Sequence, residues 1–287
     1  MWAFFTRFHA TYFHSAYPSL PLSVATLTLF VSYLHACQLA PTTVTSYLSA
    51  ISYVHKLQGL PDPTKTFVIQ KLLTAVNRSR SADNRLPITR SILHQLLASL
   101  QHTNSSASQR TTLSAMFLVA FYGFFRVGEL TTKSRVSFSN VLQYSNVSFR
   151  MNSADICGVK LTLTRFKHNT NNRPHDIIID REDSLPFCPV KSLLAYLRLR
   201  GHSHGPLFCT FDGSRITTRY FNSELRRCLI FCGLDNSRYK SRSFRIGAAC
   251  LAAKQGYSDP QIRALGRWHS DAFKVYIRPV ALHANST

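Results

Sequence analysis

Ser241-Arg-Ser-Phe-Arg-Ile-Gly-Ala-Ala-Cys250, then Gln255-Gly-Tyr-Ser-Asp-Pro-Gln-Ile-Arg-Ala-Leu-Gly-Arg-Trp-His-Ser270, then Lys274-Val-Tyr-Ile-Arg-Pro279, is the stretch on which the reading of this chain turns. Its pattern predicts three short helical pieces, broken at Gly256 and around Trp268. It brings Arg245, Arg267 and Arg278 near one tyrosine, Tyr276. Guanidinium forks bind phosphate oxygens in pairs and keep their charge at any working pH. Fixed guanidiniums beside a hydroxyl nucleophile are what attack on a phosphodiester requires.

The bulk of the chain agrees with a polyanionic target. Its 287 residues suit one large domain or two ordinary ones. A 45% hydrophobic and 12% aromatic composition supports a sizeable core and excludes global disorder. The net charge of +21 points to nucleic acid as partner. The seven cysteines are odd in number and form no CxxC pair, which argues against a disulfide framework or a zinc site. They suit a reducing, intracellular compartment, and no metal or cofactor is called for. No apolar run reaches membrane-spanning length, and no secretory signal opens the chain, so a membrane is not expected as partner.

Residues 1–82 read as an all-helical unit. Trp2, Phe5, Phe8 and Tyr12 keep helical spacing, and further helices are expected over 23–37, from Pro41 to a stop at Gly59, and over 63–76. On the third of these, Thr42, Thr43 and Ser46 lie on a polar face and are candidate phosphate contacts. Asn77–Asn84 is polar, lacks periodicity and reads as a linker. Its Arg78 and Arg80, with Arg85 just beyond, are candidates to lie along DNA.

Residues 83–287 form the second expected domain. A helix carrying Ile92 and Leu96 is followed by a polar loop over 101–109 and a strongly apolar helix over 111–122. That helix runs into Gly123-Phe-Phe-Arg-Val-Gly-Glu-Leu130. An arginine directly after so apolar a helix must find an anion, so Arg126 either pairs with Glu129 or faces a ligand. Strands are expected over 144–149, 159–165 and 176–179, with Lys167 at the tip between the last two. Helices resume at Pro189 and over 217–232. The fold class is mainly α with a small antiparallel β-sheet.

Arg126 after a buried helix, Lys167 on a hairpin, Arg245 on a late helix and Tyr276 near the end occur in the order of the tyrosine recombinase (phage integrase) superfamily, which the chain resembles over most of its length. Its boxes are most similar to those of recombinases from eukaryotic mobile elements, the DIRS-like retroelements and cryptons. The resemblance implies an all-helical core-binding domain ahead of a catalytic domain. It implies that Arg126 and Arg245 grip the scissile phosphate and that Tyr276 attacks it to form a 3′-phosphotyrosyl link. Lys167 is implied as general acid and Glu129 as a supporting carboxylate. It further implies double-stranded DNA as partner and a tetramer built of two DNA-bound dimers. The location implied is the nucleus in a eukaryotic host and otherwise the cytoplasm.

Two positions depart from the family pattern. A histidine is expected three residues before Arg245, where Arg242 stands, and a permanent cation cannot act as a base. A histidine or tryptophan is expected nine residues before Tyr276, where Arg267 stands with Trp268 and His269 beside it. His269 or water is left to take the proton. A type IB topoisomerase-like enzyme, or a DNA-binding remnant of a mobile element with impaired catalysis, are the alternative readings. Only 11 residues follow Tyr276, and a full exchange of a C-terminal helix between protomers is not expected from them.

Overall fold

The computed structural model describes residues 1–15, 17–78, 83–132, 141–153, 155–166, 169, 171, 173–184, 186–201 and 204–277. The chain divides into two compact units, Met1–Asn84 and Arg85–Thr287. No helix among the described residues is long and apolar enough to cross a membrane.

The first unit contains α1 (Trp2–Phe13), α2 (Val24–Ala36), α3 (Pro41–Leu57) and α4 (Phe67–Arg78). Local chemistry sets their ends. The Ser23 hydroxyl accepts from the Thr26 N–H at 3.0 Å to open α2, and Pro41 occupies the first turn of α3, where a missing N–H costs nothing. The apolar stripes converge on Phe5, Leu27, Phe30, Leu34, Val44 and Ile69, all fully buried. Each such side chain contributes roughly 1.5–3 kcal/mol by leaving water. His55 sits in this core as a connector. Its Nδ1 donates to the Ile51 carbonyl at 2.9 Å while its Nε2 accepts from the Leu22 N–H at 3.0 Å, so one tautomer satisfies both. The helix expected over 63–76 is in fact two pieces. Asp62 caps a single turn at Pro63–Lys65, Thr66 is extended, and α4 starts at Phe67.

The second unit is built on α6 (Ala107–Tyr122), which is buried from Leu113 to Phe121 apart from Ser114. α5 (Arg90–Thr103), α8 (Pro189–Arg200) and α10 (Arg242–Lys254) pack on it, and α9 (Thr218–Phe231) packs on α5. The polar loop expected over 101–109 shrinks to 104–106, because Ser106 caps the Gln109 N–H and Arg110 ties back to the Asn104 and Ser105 carbonyls. Between α6 and α8 comes the short α7 (Val127–Leu130) and then an antiparallel sheet of β1 (Val147–Asn152), β2 (Asp155–Leu163) and β3 (His175–Asp180) in that spatial order. Val159 pairs with Ile179 and Leu161 with Ile177, and all four point inward. The strand expected over 144–149 begins only at Val147. Tyr144–Asn146 is a single helical turn, held by the Asn146 side chain accepting from the Gln143 N–H. The architecture is α+β, as the pattern of the chain indicated.

The C-terminal stretch does form three pieces: α10, α11 (Asp259–Gly266) and a 3₁₀ turn at Asp271–Tyr276. Close backbone approach explains two of its glycines. A Cβ on Gly247 would lie 1.8 Å from the Ile88 carbonyl oxygen, so only glycine lets α10 lie against the 86–88 segment. A Cβ on Gly266 would fall within the Trp268 ring.

Candidate active site

Phe124 has a left-handed backbone, φ 52°, where the chain leaves α6, and this swings Arg126 to the start of α7. Glu129, one turn on, reaches back. Its Oε2 accepts from the Arg126 N–H at 2.9 Å and its Oε1 from the Arg126 guanidinium at 2.9 Å. Of the two outcomes open to Arg126, pairing with Glu129 is the one seen. The pairing uses one nitrogen, and the Arg126 side chain is still 28% exposed.

Glu129 has a second cation. Arg267 donates to its Oε2 at 2.9 Å, and the Arg267 side chain is only 1% exposed. Arg267 ends α11 in the left-handed region, φ 54° and ψ 47°, which is uncommon for a side chain of its size. That turn aims the guanidinium inward, where it also donates to the carbonyls of Gly123 at 3.2 Å and Phe124 at 3.0 Å. Arg267 therefore clamps the end of α11 to the α6–α7 junction. Arg245 joins the same junction from α10, donating to the Phe124 carbonyl at 3.0 Å and to that of Gly266, and lies 4.2 Å over the Trp268 ring. Its Nε, like that of Arg267, is buried without a protein partner.

The electrostatics follow from this crowding. Burial pushes the Glu129 carboxyl up, but the charge of Arg267, the Arg126 N–H and the charge of Arg126 outweigh it, and its pKa is lowered. Burial, with Arg126 and Arg267 nearby, pushes the Arg245 guanidinium down to about 9, still cationic at neutral pH. Burial likewise lowers Arg267, with Glu129 opposing. A folded-state value below the unfolded one means the unfolded chain binds the extra proton. Glu129 thus adds stability that is present above the unfolded carboxylate value, about 4.3, and is lost as pH falls through its lower folded value. Thermal melts between pH 3 and 7 should lose stability at the acid end, and Glu129→Gln should flatten that slope. An unchanged slope would remove Glu129 from the acid response.

Tyr276 closes the group. It is 9% exposed and packs with Phe124, Ile246 and Phe273. Its ring lies 5.3 Å from that of Trp268, and the Cys250 thiol donates to its carbonyl at 3.2 Å. Arg242, on the first turn of α10, donates through Nε to the Tyr276 hydroxyl at 2.7 Å and through a second guanidinium nitrogen as well. The turn that carries Tyr276 is lashed to α11 by Arg263–Asp271 at 2.5 Å and Lys274–Asp259 at 3.2 Å. Contacts therefore run from Arg126 through Glu129 and Arg267 to the Phe124 carbonyl, which Arg245 shares, and on through Trp268 to Tyr276 and Arg242.

A cavity of about 440 Å³ opens beside this group, between the β2–β3 connection and α11. Phe166, Arg173, His175, Arg263, Arg267, Trp268 and the exposed His269 are among the residues lining it. His175 carries no motif and was not singled out by its sequence. Burial and the Arg267 charge lower its pKa, against Asp176 and Glu129.

Lys167 and Arg80 are outside the described residues, as is Arg278. Thr42 is exposed on α3, Thr43 and Ser46 are half-buried, and the Ser46 hydroxyl donates to the Thr42 carbonyl at 2.8 Å within its own helix. Arg78 is exposed at the end of α4, and Arg85 is half-buried in the second unit.

This arrangement is the fold of the tyrosine recombinases and integrases. The XerH site-specific recombinase, in a post-cleavage complex with a palindromic difH substrate, is similar over 94% of this chain and 72% of its own, at 16% identity and a TM-score of 0.67. The Tn1549 transposon integrase in complex with transposon right end DNA is similar over 99% of this chain and 88% of its own, at 10% identity and a TM-score of 0.64. A lambda integrase dimer bound to a COC′ core site is similar over 90% of this chain and 65% of its own, at 15% identity and a TM-score of 0.59. At these identities the likeness is one of fold. No family model and no curated protein sequence matches the chain.

Proposed function

We propose that the chain is a site-specific DNA recombinase or integrase, a strand transferase that cleaves and rejoins double-stranded DNA through a tyrosine. The observation that carries this reading is the gathering of Arg126 and Arg267 on the carboxylate of Glu129, with Arg245 sharing the Phe124 carbonyl with Arg267, beside a tyrosine whose hydroxyl is held by a fourth arginine. A cluster so rich in positive charge is complementary to a phosphodiester and to the charge that builds on it during attack. Arg126, half-exposed with one nitrogen on Glu129, and Arg245 bind the non-bridging oxygens. Tyr276 Oη attacks phosphorus and forms a 3′-phosphotyrosyl link, and Lys167, in the segment between β2 and β3, protonates the leaving 5′ oxygen. Arg267 and Glu129 hold the arginines in place. The covalent link conserves the phosphodiester energy, so rejoining needs no ATP.

The net charge of +21 supports a DNA partner for the whole chain. The first unit acts as the core-binding domain, with Thr42, Thr43, Ser46, Arg78 and Arg80 toward the backbone, joined by Arg85. The chain acts as a dimer on each site, as the lambda integrase of similar fold is a dimer on a COC′ core site, and two such dimers pair into a tetramer. The test is a nicked duplex built from the DNA flanking the coding region. A covalent protein–DNA adduct should form with the native chain and be lost in Tyr276→Phe, while DNA binding persists. An adduct that persists in Tyr276→Phe would remove Tyr276 as nucleophile.

A further inference from the structure

The Tyr276 hydroxyl, the attacking group in the reading above, is already engaged. Arg242 donates two hydrogen bonds to it, one at 2.7 Å from Nε, and the guanidinium carbon lies 4.9 Å from the ring centroid. Both residues belong to one chain, and both sit on elements that pack together, α10 and the 3₁₀ turn. Arg242 is exposed as a residue and Tyr276 is buried. Donors that carry a formal positive charge favour an oxyanion over a hydroxyl. A guanidinium cannot also take the proton. The geometry therefore fits stabilisation of a phenolate and excludes Arg242 as a base.

We propose that Arg242 is a catalytic residue that activates Tyr276 by charge alone, holding its oxygen as phenolate when it attacks in cleavage and when it departs in rejoining. This rests on the strand-transferase reading. In cleavage the Oη–P bond forms as the P–O5′ bond breaks. The hydroxyl proton leaves to water, and the 5′ oxygen gains a proton from Lys167. Rejoining runs the same exchange backwards, with the 5′ hydroxyl losing its proton and the phenolate returning to Arg242. The other titratable groups that bear on Tyr276 among the described residues do not take this role. Arg245 acts on it electrostatically from α10 but donates to carbonyls, and the Cys250 thiol touches its carbonyl rather than its hydroxyl. Trp268, packed against the ring from the α11 side, is neutral.

The experiment compares the native chain with Arg242→Met, Arg242→Lys and Arg242→His on the nicked duplex. Single-turnover adduct formation and rejoining from a preformed adduct are followed between pH 5.5 and 9. Arg242→Met should slow both steps by about 10²–10³-fold, the usual loss for one donor to a developing oxyanion. Arg242→Lys should recover part of that loss. Arg242→His should introduce a rise in rate across the imidazole range near pH 6.5, which the native profile lacks. A packing role alone would shift the melting temperature and leave the pH profile as it was. Cleavage by a folded Arg242→Met chain within about threefold of native, or a native inflection near pH 6.5, overturns the proposal and leaves the strand-transferase reading standing. A native chain that forms no adduct overturns both.

Discussion

Arg267→Ala should destabilise the second unit by about 3–4 kcal/mol, in the range for removing one partner of a buried ion pair. The Arg267 side chain is 1% exposed and its partner Glu129 is 6% exposed, so the charge left behind has little water to turn to. Arg126 still faces Glu129 at 2.9 Å, which keeps the cost from running higher. The Gly123 carbonyl loses its arginine donor, while the Phe124 carbonyl keeps that from Arg245. For a domain of this size the melting temperature should fall by roughly 6–16 °C. Arg267→Lys should recover little, because one ammonium cannot replace a fork that reaches both the carboxylate and three carbonyls. A melting temperature within a degree or two of native for Arg267→Ala would show that the clamp does not hold α11.

Gly247→Ala is the second large effect. The added Cβ would sit 1.8 Å from the Ile88 carbonyl oxygen and 2.7 Å from its carbon, both backbone atoms. No rotamer change at Ile88 relieves such a clash, so α10 itself must move. The cost should be about 3 kcal/mol, at the upper end for overpacking, and should appear as a lower denaturation midpoint. Because α10 carries Arg242 and Arg245, any folded Gly247→Ala chain should also lose the alignment of both. Gly128→Ala is the control, since its Cβ would meet nothing within 4 Å and the position is helical, so stability should hold or rise by up to about 1 kcal/mol. Equal effects at the two glycines would contradict the packing described for α10.

Much of this was legible in the residues themselves. The breaks at Gly256 and Trp268 are local events, and the chain does form α10, α11 and a final turn between them. Arg126 and Glu129 are one helical turn apart, so their pairing follows from spacing. What the residues concealed depends on tertiary placement. Polar Ser108 and Gln109 look like loop, yet they lie in the first turn of α6, because Ser106 caps the Gln109 N–H and Arg110 ties back to the carbonyls just before the helix. Tyr144 has strand-like character, but the Asn146 side chain bends that segment into a turn. Arg267 looked like a departure at a catalytic position, and its left-handed backbone instead aims it at Glu129 and at backbone carbonyls, those of Gly123 and Phe124 among them. Arg242 looked like a missing histidine, and only the fold shows its guanidinium on the Tyr276 hydroxyl, 34 residues away in the chain. Charge complementarity of that kind has no local pattern.

The central claim is that Tyr276 joins covalently to DNA. The most direct measurement is protease digestion of the trapped protein–DNA adduct, followed by mass spectrometry of the nucleotide-bearing peptide. The account predicts a single 3′-phosphate ester on the Tyr276 peptide and a free 5′ hydroxyl on the released strand. A modification on another residue, a 5′-linked product, or retained DNA binding with no adduct on any flanking sequence would contradict it.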